Sequence, residues 1–166
     1  MELAMAVIVY LDSRHMDDLR RAAKRSRDRE CCGLLLGTRE AVETDQAVQI
    51  WAVEPMDNVW DQGGAAWFEE RAAGDHGPSD RYAIDSAQMV AAQRRSRDRG
   101  WAIVGIYHSH PNGVAVPSEC DRQWAWEGYV YAIVAVADGR ATDLKFWQLD
   151  EQRRFQPLTV QLDGAD

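Results

Sequence analysis

His108-Ser109-His110 carries the clearest chemical meaning in the chain, because two imidazoles stand two residues apart at the end of an apolar run, Trp101 to Tyr107. In extended backbone, side chains two apart leave the same face. Both rings can therefore reach one ion. Zinc accepts neutral imidazole nitrogen, and catalytic zinc sites use three protein ligands so that the fourth position stays open to water. A third ligand is offered downstream. Pro111, Gly113 and Pro117 break the backbone into a loop, and Ser118-Glu119-Cys120-Asp121 then opens a helix. The S-x-x-D spacing puts Ser118 at the N-cap and Asp121 one turn in, with its carboxylate facing back toward the loop. The helix macrodipole favours an anion there by about 0.3–1 kcal/mol, so capping alone would explain this pair taken by itself. Cys120 is a second conceivable ligand, since thiolate binds zinc well. It points about 100° away from Asp121 around a helix, and a small buried side chain is the simpler account of it and of Cys31 and Cys32.

Hydrolysis at such a site also needs a group to take a proton from water and hand it to the leaving amine. Glu30, Glu119 and Glu127 are the candidates. Glu30 stands at the mouth of the apolar run Cys31 to Gly37, which makes it the best remote choice, although spacing does not by itself separate it from the other two or from a surface partner of Arg27 or Arg29.

The elements that must position these groups follow from pattern. Ala6 to Leu11 reads as a strand, and Asp12-Ser13 caps a helix with Met16, Leu19, Ala22 and Ala23 on one face. Cys31 to Gly37 is a buried strand and Ala47 to Met56 another. Asp57 to Asp80 collects glycines around Trp60, Trp67 and Phe68, a loop insert whose length points to binding a substrate. Tyr82 to Ile84 reads as a brief strand, Asp85 or Ser86 caps a second helix, and Gly100 ends it. Ser118 to Glu127 is helical. Tyr129 to Ala137 and Thr142 to Leu149 form a hairpin through Asp138-Gly139, and Arg153 to Leu162 supplies a last strand. Arg-Ser-Arg-Asp-Arg occurs at 25–29 and again at 95–99, two short copies that make no tandem repeat.

With 166 residues, 46% of them hydrophobic, the chain suffices for one core and a single domain over 1–166. A formal net charge of −8 argues against nucleic acid or an anionic membrane as the main partner, and the Arg-rich segments read as solvated helix ends. Three cysteines, two of them adjacent, make no disulfide framework and no paired C-x-x-C zinc ribbon, which fits a reducing cytoplasm. The N-terminus lacks a basic n-region and Tyr129 to Ala137 is too short to span a bilayer, so the expected location is cytoplasmic. His15 and His76 lie far from both motif segments and are expected at the surface.

The residues resemble the JAMM (MPN-plus, Mov34/PAD-1) metalloproteases, whose motif is a remote glutamate, then H-[ST]-H-P, six residues and S-x-x-D. Glu30 with its strand, His108-Ser109-His110-Pro111 and Ser118-Glu119-Cys120-Asp121 are similar to the whole pattern, and the likeness spans roughly residues 5 to 150. The resemblance implies one zinc per chain on His108, His110 and Asp121. It implies Glu30 as general base and proton carrier, and Ser118 as the group that stabilises the oxyanion. The implied fold is a three-layer α/β domain with a curved, mostly antiparallel sheet flanked by helices, similar to cytidine deaminases. The implied substrate of small prokaryotic members is a ubiquitin-like or sulfur-carrier protein cut after its C-terminal Gly-Gly, by deconjugation or tail processing. The 57–80 loop is longer and richer in Trp and Gly than expected of the smallest members.

Two other classes fit part of the pattern. Two histidines and a carboxylate also hold non-haem Fe(II), but that chemistry assigns no role to Glu30 or Ser118. A scaffold that binds a ubiquitin-like partner without cutting it would not need complete ligands. A zinc nucleobase deaminase needs H-x-E with P-C-x-x-C, and the chain has neither.

Overall fold

The computed structural model describes residues 5–67 and 76–164. Its strands are β1 (Val7–Asp12), β2 (Cys32–Val42), β3 (Asp45–Met56), β4 (Ala102–Pro111), β5 (Val130–Ala137), β6 (Arg140–Leu149), β7 (Phe155–Pro157) and β8 (Thr159–Asp163). Its α-helices are α1 (Ser13–Ser26), α2 (Ser86–Arg97) and α3 (Glu119–Trp124). The strands form one sheet in the order β7-β6-β5-β4-β2-β3-β1-β8. Pairings are antiparallel except β1 with β3, β1 with β8 and β4 with β5. Only Leu158 separates β7 from β8, yet these strands occupy opposite edges. The sheet must therefore curl until its edges approach, and α1 fills the concave side.

Period-2 alternation sorts the strand side chains between two cores. Val9, Leu35, Val48, Val104, Val130 and Val134 pack with Leu19 and Ala23 of α1. Leu34, Ile103, Ile106 and Tyr131 pack with Ala92 of α2 on the other face. Helix, sheet and helix make three α/β layers with a mostly antiparallel curved sheet in the middle, as the family resemblance implies. Truncating one of these buried leucines to alanine would cost about 2–5 kcal/mol. Where β4 crosses β2 and β5 the backbones are too close for side chains: a Cβ on Gly105 would lie 2.1 Å from the Val130 carbonyl oxygen. That contact seats β4 in the middle of the sheet, three residues before His108.

Caps explain the element ends. Asp12 accepts from the Arg14 N–H and His15 Nδ1 accepts from the Asp12 N–H, so His15 belongs to the N-cap of α1. Asp85 caps α2 by accepting from Ala87 N and Gln88 N. Asp138 (φ 51°) and Gly139 (φ 71°) supply the positive φ pair of a tight hairpin.

Several sequence expectations need correction. Tyr82 to Ile84 is not a strand, because Ala83 exchanges its backbone bonds with the loop at Asn58 and Val59. The helix from Ser118 stops at Trp124 rather than Glu127, since Arg153 Nη2 takes the carbonyls of Arg122, Gln123 and Ala125. The single last strand is two, parted where Leu158 N turns to the Phe146 carbonyl. The 57–80 insert holds two 3-10 turns, Trp60–Gln62 and Gly64–Trp67, while 68–75, including Phe68, lie outside the described residues. No helix among the described residues is long and apolar enough to cross a membrane.

Candidate metal centre

β4 continues without a break through His108, Ser109 and His110, so the strand itself presents both imidazoles. His108 is fully buried between Cys32 of β2 and Ile133 of β5, and His110 sits one repeat nearer the strand end. The loop from Asn112 to Pro117 then carries the chain back to α3. There Ser118 Oγ accepts from the Asp121 N–H at 3.0 Å and Asp121 Oδ2 accepts from the Ser118 N–H at 2.8 Å, a reciprocal capping box. The cap fixes the Asp121 rotamer and aims its carboxylate at the histidines.

The three tips meet. His108 Nε2 is 3.1 Å from His110 Nε2, and Asp121 Oδ2 is 3.2 Å from each of them. Bonds of about 2.0–2.1 Å to one tetrahedral ion require ligand separations of about 3.3–3.4 Å. The observed triangle fits that spacing, and these residues could hold a metal ion. Their electrostatics agree. Burial pushes the Asp121 carboxyl up, but His108 beside it and hydrogen bonds from His108, His110 and the Ser118 N–H outweigh burial and hold it well below the usual range. Burial lowers His110, and the Asp121 hydrogen bond and charge more than reverse this. Asp121 is thereby held as the carboxylate, the form that ligates a cation.

Outer contacts orient the rings. His110 Nδ1–H donates to the Val114 carbonyl at 2.7 Å, which fixes the ring with Nε2 facing the centre. His108 stacks on Tyr82 with centroids 4.7 Å apart. Its buried Nδ1 has no hydrogen-bond partner among the described residues.

Glu30 comes from the other end of the sequence, one residue before Cys31-Cys32. It is 5% exposed, and burial first, then the Asp121 charge, push its carboxyl up to about 9, with Arg81 opposing. Its backbone is held at several points. The Glu30 N–H donates to the Pro78 carbonyl at 2.7 Å, and its carbonyl accepts from Asn58 Nδ2 at 3.1 Å. Next to it, Ser109 Oγ accepts from the Cys31 N–H at 2.8 Å, tying the glutamate strand to the histidine strand.

Glu30, Asp80, Arg81, Cys120 and Asp121 share one pocket with Trp60, Tyr82, Trp124 and Tyr131. The structure thus brings together Glu30, His108, His110, Ser118 and Asp121. Glu119 instead pairs with Arg122, and Cys120 lines the pocket beside the triangle. His76 pairs with Asp80 at 2.6 Å. Trp60 is buried in the pocket wall, whereas Trp67 is 52% exposed. Sequence reasoning missed Asn58, Tyr82, Arg81 and Ser109. Strand alternation could have placed Ser109 on the face opposite the histidines, but nothing in the local sequence marks the other three.

Residues 12–150 match the family described as prokaryotic homologs of the JAB domain. The chain belongs to this family. The JAB-domain chain is also 36% identical over 135 residues, 81% of its own length and 78% of the relative's, to a protein named desampylase from Haloferax volcanii. A solution structure of a Salinibacter ruber protein shares 27% identity at a TM-score of 0.64, over 94% of this JAB-domain chain and 93% of that one. A Desulfitobacterium hafniense protein solved in solution has the same fold, with a TM-score of 0.71 at 23% identity over 93% and 92% of the two chains.

Proposed function

We propose that the chain is a zinc-dependent peptidase or isopeptidase that hydrolyses the bond after the C-terminal Gly-Gly of a ubiquitin-like or sulfur-carrier protein. The observation that carries this reading is the 3.1–3.2 Å triangle of His108, His110 and Asp121 beside the buried carboxyl of Glu30. The similarity to a protein named desampylase, a name for removal of a conjugated modifier, supports the substrate class.

In this reading His108, His110 and Asp121 hold one zinc ion, which supplies a Lewis acid that acidifies water and polarises the scissile carbonyl. Glu30 takes the proton of the attacking water and delivers it to the departing amine. Burial keeps Glu30 protonated when no cation is near, and a divalent cation beside Asp121 works in the opposite sense, favouring the carboxylate that a base needs. Ser118 Oγ already accepts the Asp121 N–H, so its own proton is available for the oxyanion. The non-haem iron alternative leaves Glu30 and Ser118 idle, and a non-cutting scaffold has no need of a buried carboxyl at the triangle. The proposed partner is a modifier protein, with no part for nucleic acid or membrane, and the proposed location is the cytoplasm.

The test is elemental analysis of purified protein together with hydrolysis of a modifier extended beyond its Gly-Gly. One zinc per chain is expected, with hydrolysis lost on chelation and restored by zinc. Iron as the bound metal, or zinc-loaded protein that binds the modifier and leaves it intact, would refute the reading.

A further inference from the structure

His110 is oriented by a bond whose acceptor lies in the open. Its Nδ1–H donates at 2.7 Å to the Val114 carbonyl, yet Val114 is 67% exposed, so burial of that residue does not hold the acceptor in place. Water competes for such a bond, and a loop carbonyl with no other restraint is free to turn away from the ring. The restraint comes from the next residue. Ala115 is 1% exposed and packs on Ile133 and Ala135 of β5. Its carbonyl accepts from Trp147 Nε1 at 3.0 Å, and the indole packs against the same small cluster.

Register explains why this anchor falls beside the triangle. Ile133 and Ala135 pair with His108 and His110 across β4 and β5, and paired residues share a face of the sheet. Tyr131 alternates onto that face as well, and Trp147 of β6 is its partner. The loop after β4 folds tightly over this surface. Asn112 takes the left-handed region at φ 54°, and its N–H donates to the Val136 carbonyl at 2.7 Å. Gly113 passes so close to His110 that a Cβ there would lie 3.1 Å from the His110 Cβ. The loop is thus pinned at its start by β5, at its end by the Ser118 capping box and in its middle by Trp147.

We infer that Trp147 is a positioning residue for the metal centre, acting on His110 through the Ala115 and Val114 peptides. With the Ala115 side chain buried and its carbonyl bonded, the preceding peptide has little room to rotate, and the Val114 carbonyl stays aimed at His110 Nδ1. The ring then keeps Nε2 on the triangle, and binding an ion carries little cost for ordering the loop. The inference rests on the reading of the triangle as a zinc site and adds to it a residue outside the motif, 32 positions beyond Ala115 and on another strand.

The experiment compares Trp147→Phe with the parental full chain, both loaded with zinc. Phenylalanine keeps a ring against Ala115 and removes the donor. Zinc release to excess chelator should quicken by roughly three- to tenfold, the worth of about one hydrogen bond. Gln148→Ala is the control, because it deletes a bond of the same kind, 3.0 Å long, from the next residue of β6 to the Gly128 carbonyl. It should leave release unchanged. Nuclear magnetic resonance gives the readout that general destabilisation does not move: the His110 Nδ1–H should exchange with solvent faster in Trp147→Phe and at the parental rate in Gln148→Ala. Zinc release from Trp147→Phe at the parental rate, or an equal change in both variants, overturns the inference. If Trp147→Phe does not fold, the parental chain decides, since a Trp147 Nε1–H that exchanges as fast as a free indole overturns it and one protected together with His110 Nδ1–H is the expected result. If the chain takes up no zinc, the metal reading fails, and exchange of the His110 Nδ1–H in the two variants decides the anchor by itself.

Discussion

His108 and His110 reach their meeting point from one strand two residues apart, and Asp121 joins them from a helix start eleven residues later. Glu30 reaches the same place from the far end of the sequence. Its corner is assembled by Asn58, whose side chain donates to the carbonyls of Glu30, Pro78 and Arg81 and accepts from the N–H groups of Trp60 and Ala83. One half of the site is local and stiffened by a central strand. The other is a junction of three segments pinned by a single buried amide.

The comparison is sharpest where a triangle member is lost. His108→Ala or Asp121→Ala should release the zinc and lower hydrolysis by on the order of a thousandfold or more, read by elemental analysis and peptide cleavage on the same sample. Zinc retained at full stoichiometry would mean that the ligands lie elsewhere. On the other half, Glu30→Gln should leave zinc in place and reduce kcat by roughly 10²- to 10⁴-fold. Turnover at the parental rate would remove Glu30 from the reaction.

Asn58→Ala separates the halves most directly. It strands several buried backbone groups, each worth about 1–3 kcal/mol when left unpaired, so a lower Tm and a lower kcat are expected with zinc content unchanged. Loss of zinc in step with kcat would show that the halves are not independent.

A smaller effect is expected from pH on the metal-free protein. Glu30 is pushed up to about 9 from an ordinary 4.5, so between those values the folded chain keeps a proton that the unfolded chain releases. Stability should fall as pH rises through this window, by roughly a few kcal/mol at most, and Glu30→Gln should flatten the fall. Parallel melting curves for the two proteins from pH 5 to 8 would contradict this. Smallest of all, Trp67→Ala at an exposed position should shift Tm by no more than about a degree or two, within the roughly ±0.5 kcal/mol of surface changes. A large rise in KM with that variant would instead place the outer part of the insert against substrate.

The local half was legible in advance because strand period and capping chemistry act over a few residues. Alternation put both imidazoles on one face, and S-x-x-D announced a carboxylate at a helix start. The same reasoning failed at Tyr82 to Ile84 and beyond Trp124, where Asn58 and Arg153 intervene from 25 and 28 or more residues away. Side-chain bonds across such distances leave no periodic trace.

By itself, the amino-acid sequence determined the identity of the triangle, the cap that aims Asp121 and the strands that supply two cores, since each follows from short-range geometry and burial. Only the tertiary structure decided that Glu30, rather than Glu119 or Glu127, shares the pocket with Asp121, and that Arg81 lines it. Those groups meet through sheet closure and a buried amide, and their burial, which raises Glu30, exists only once the chain is folded.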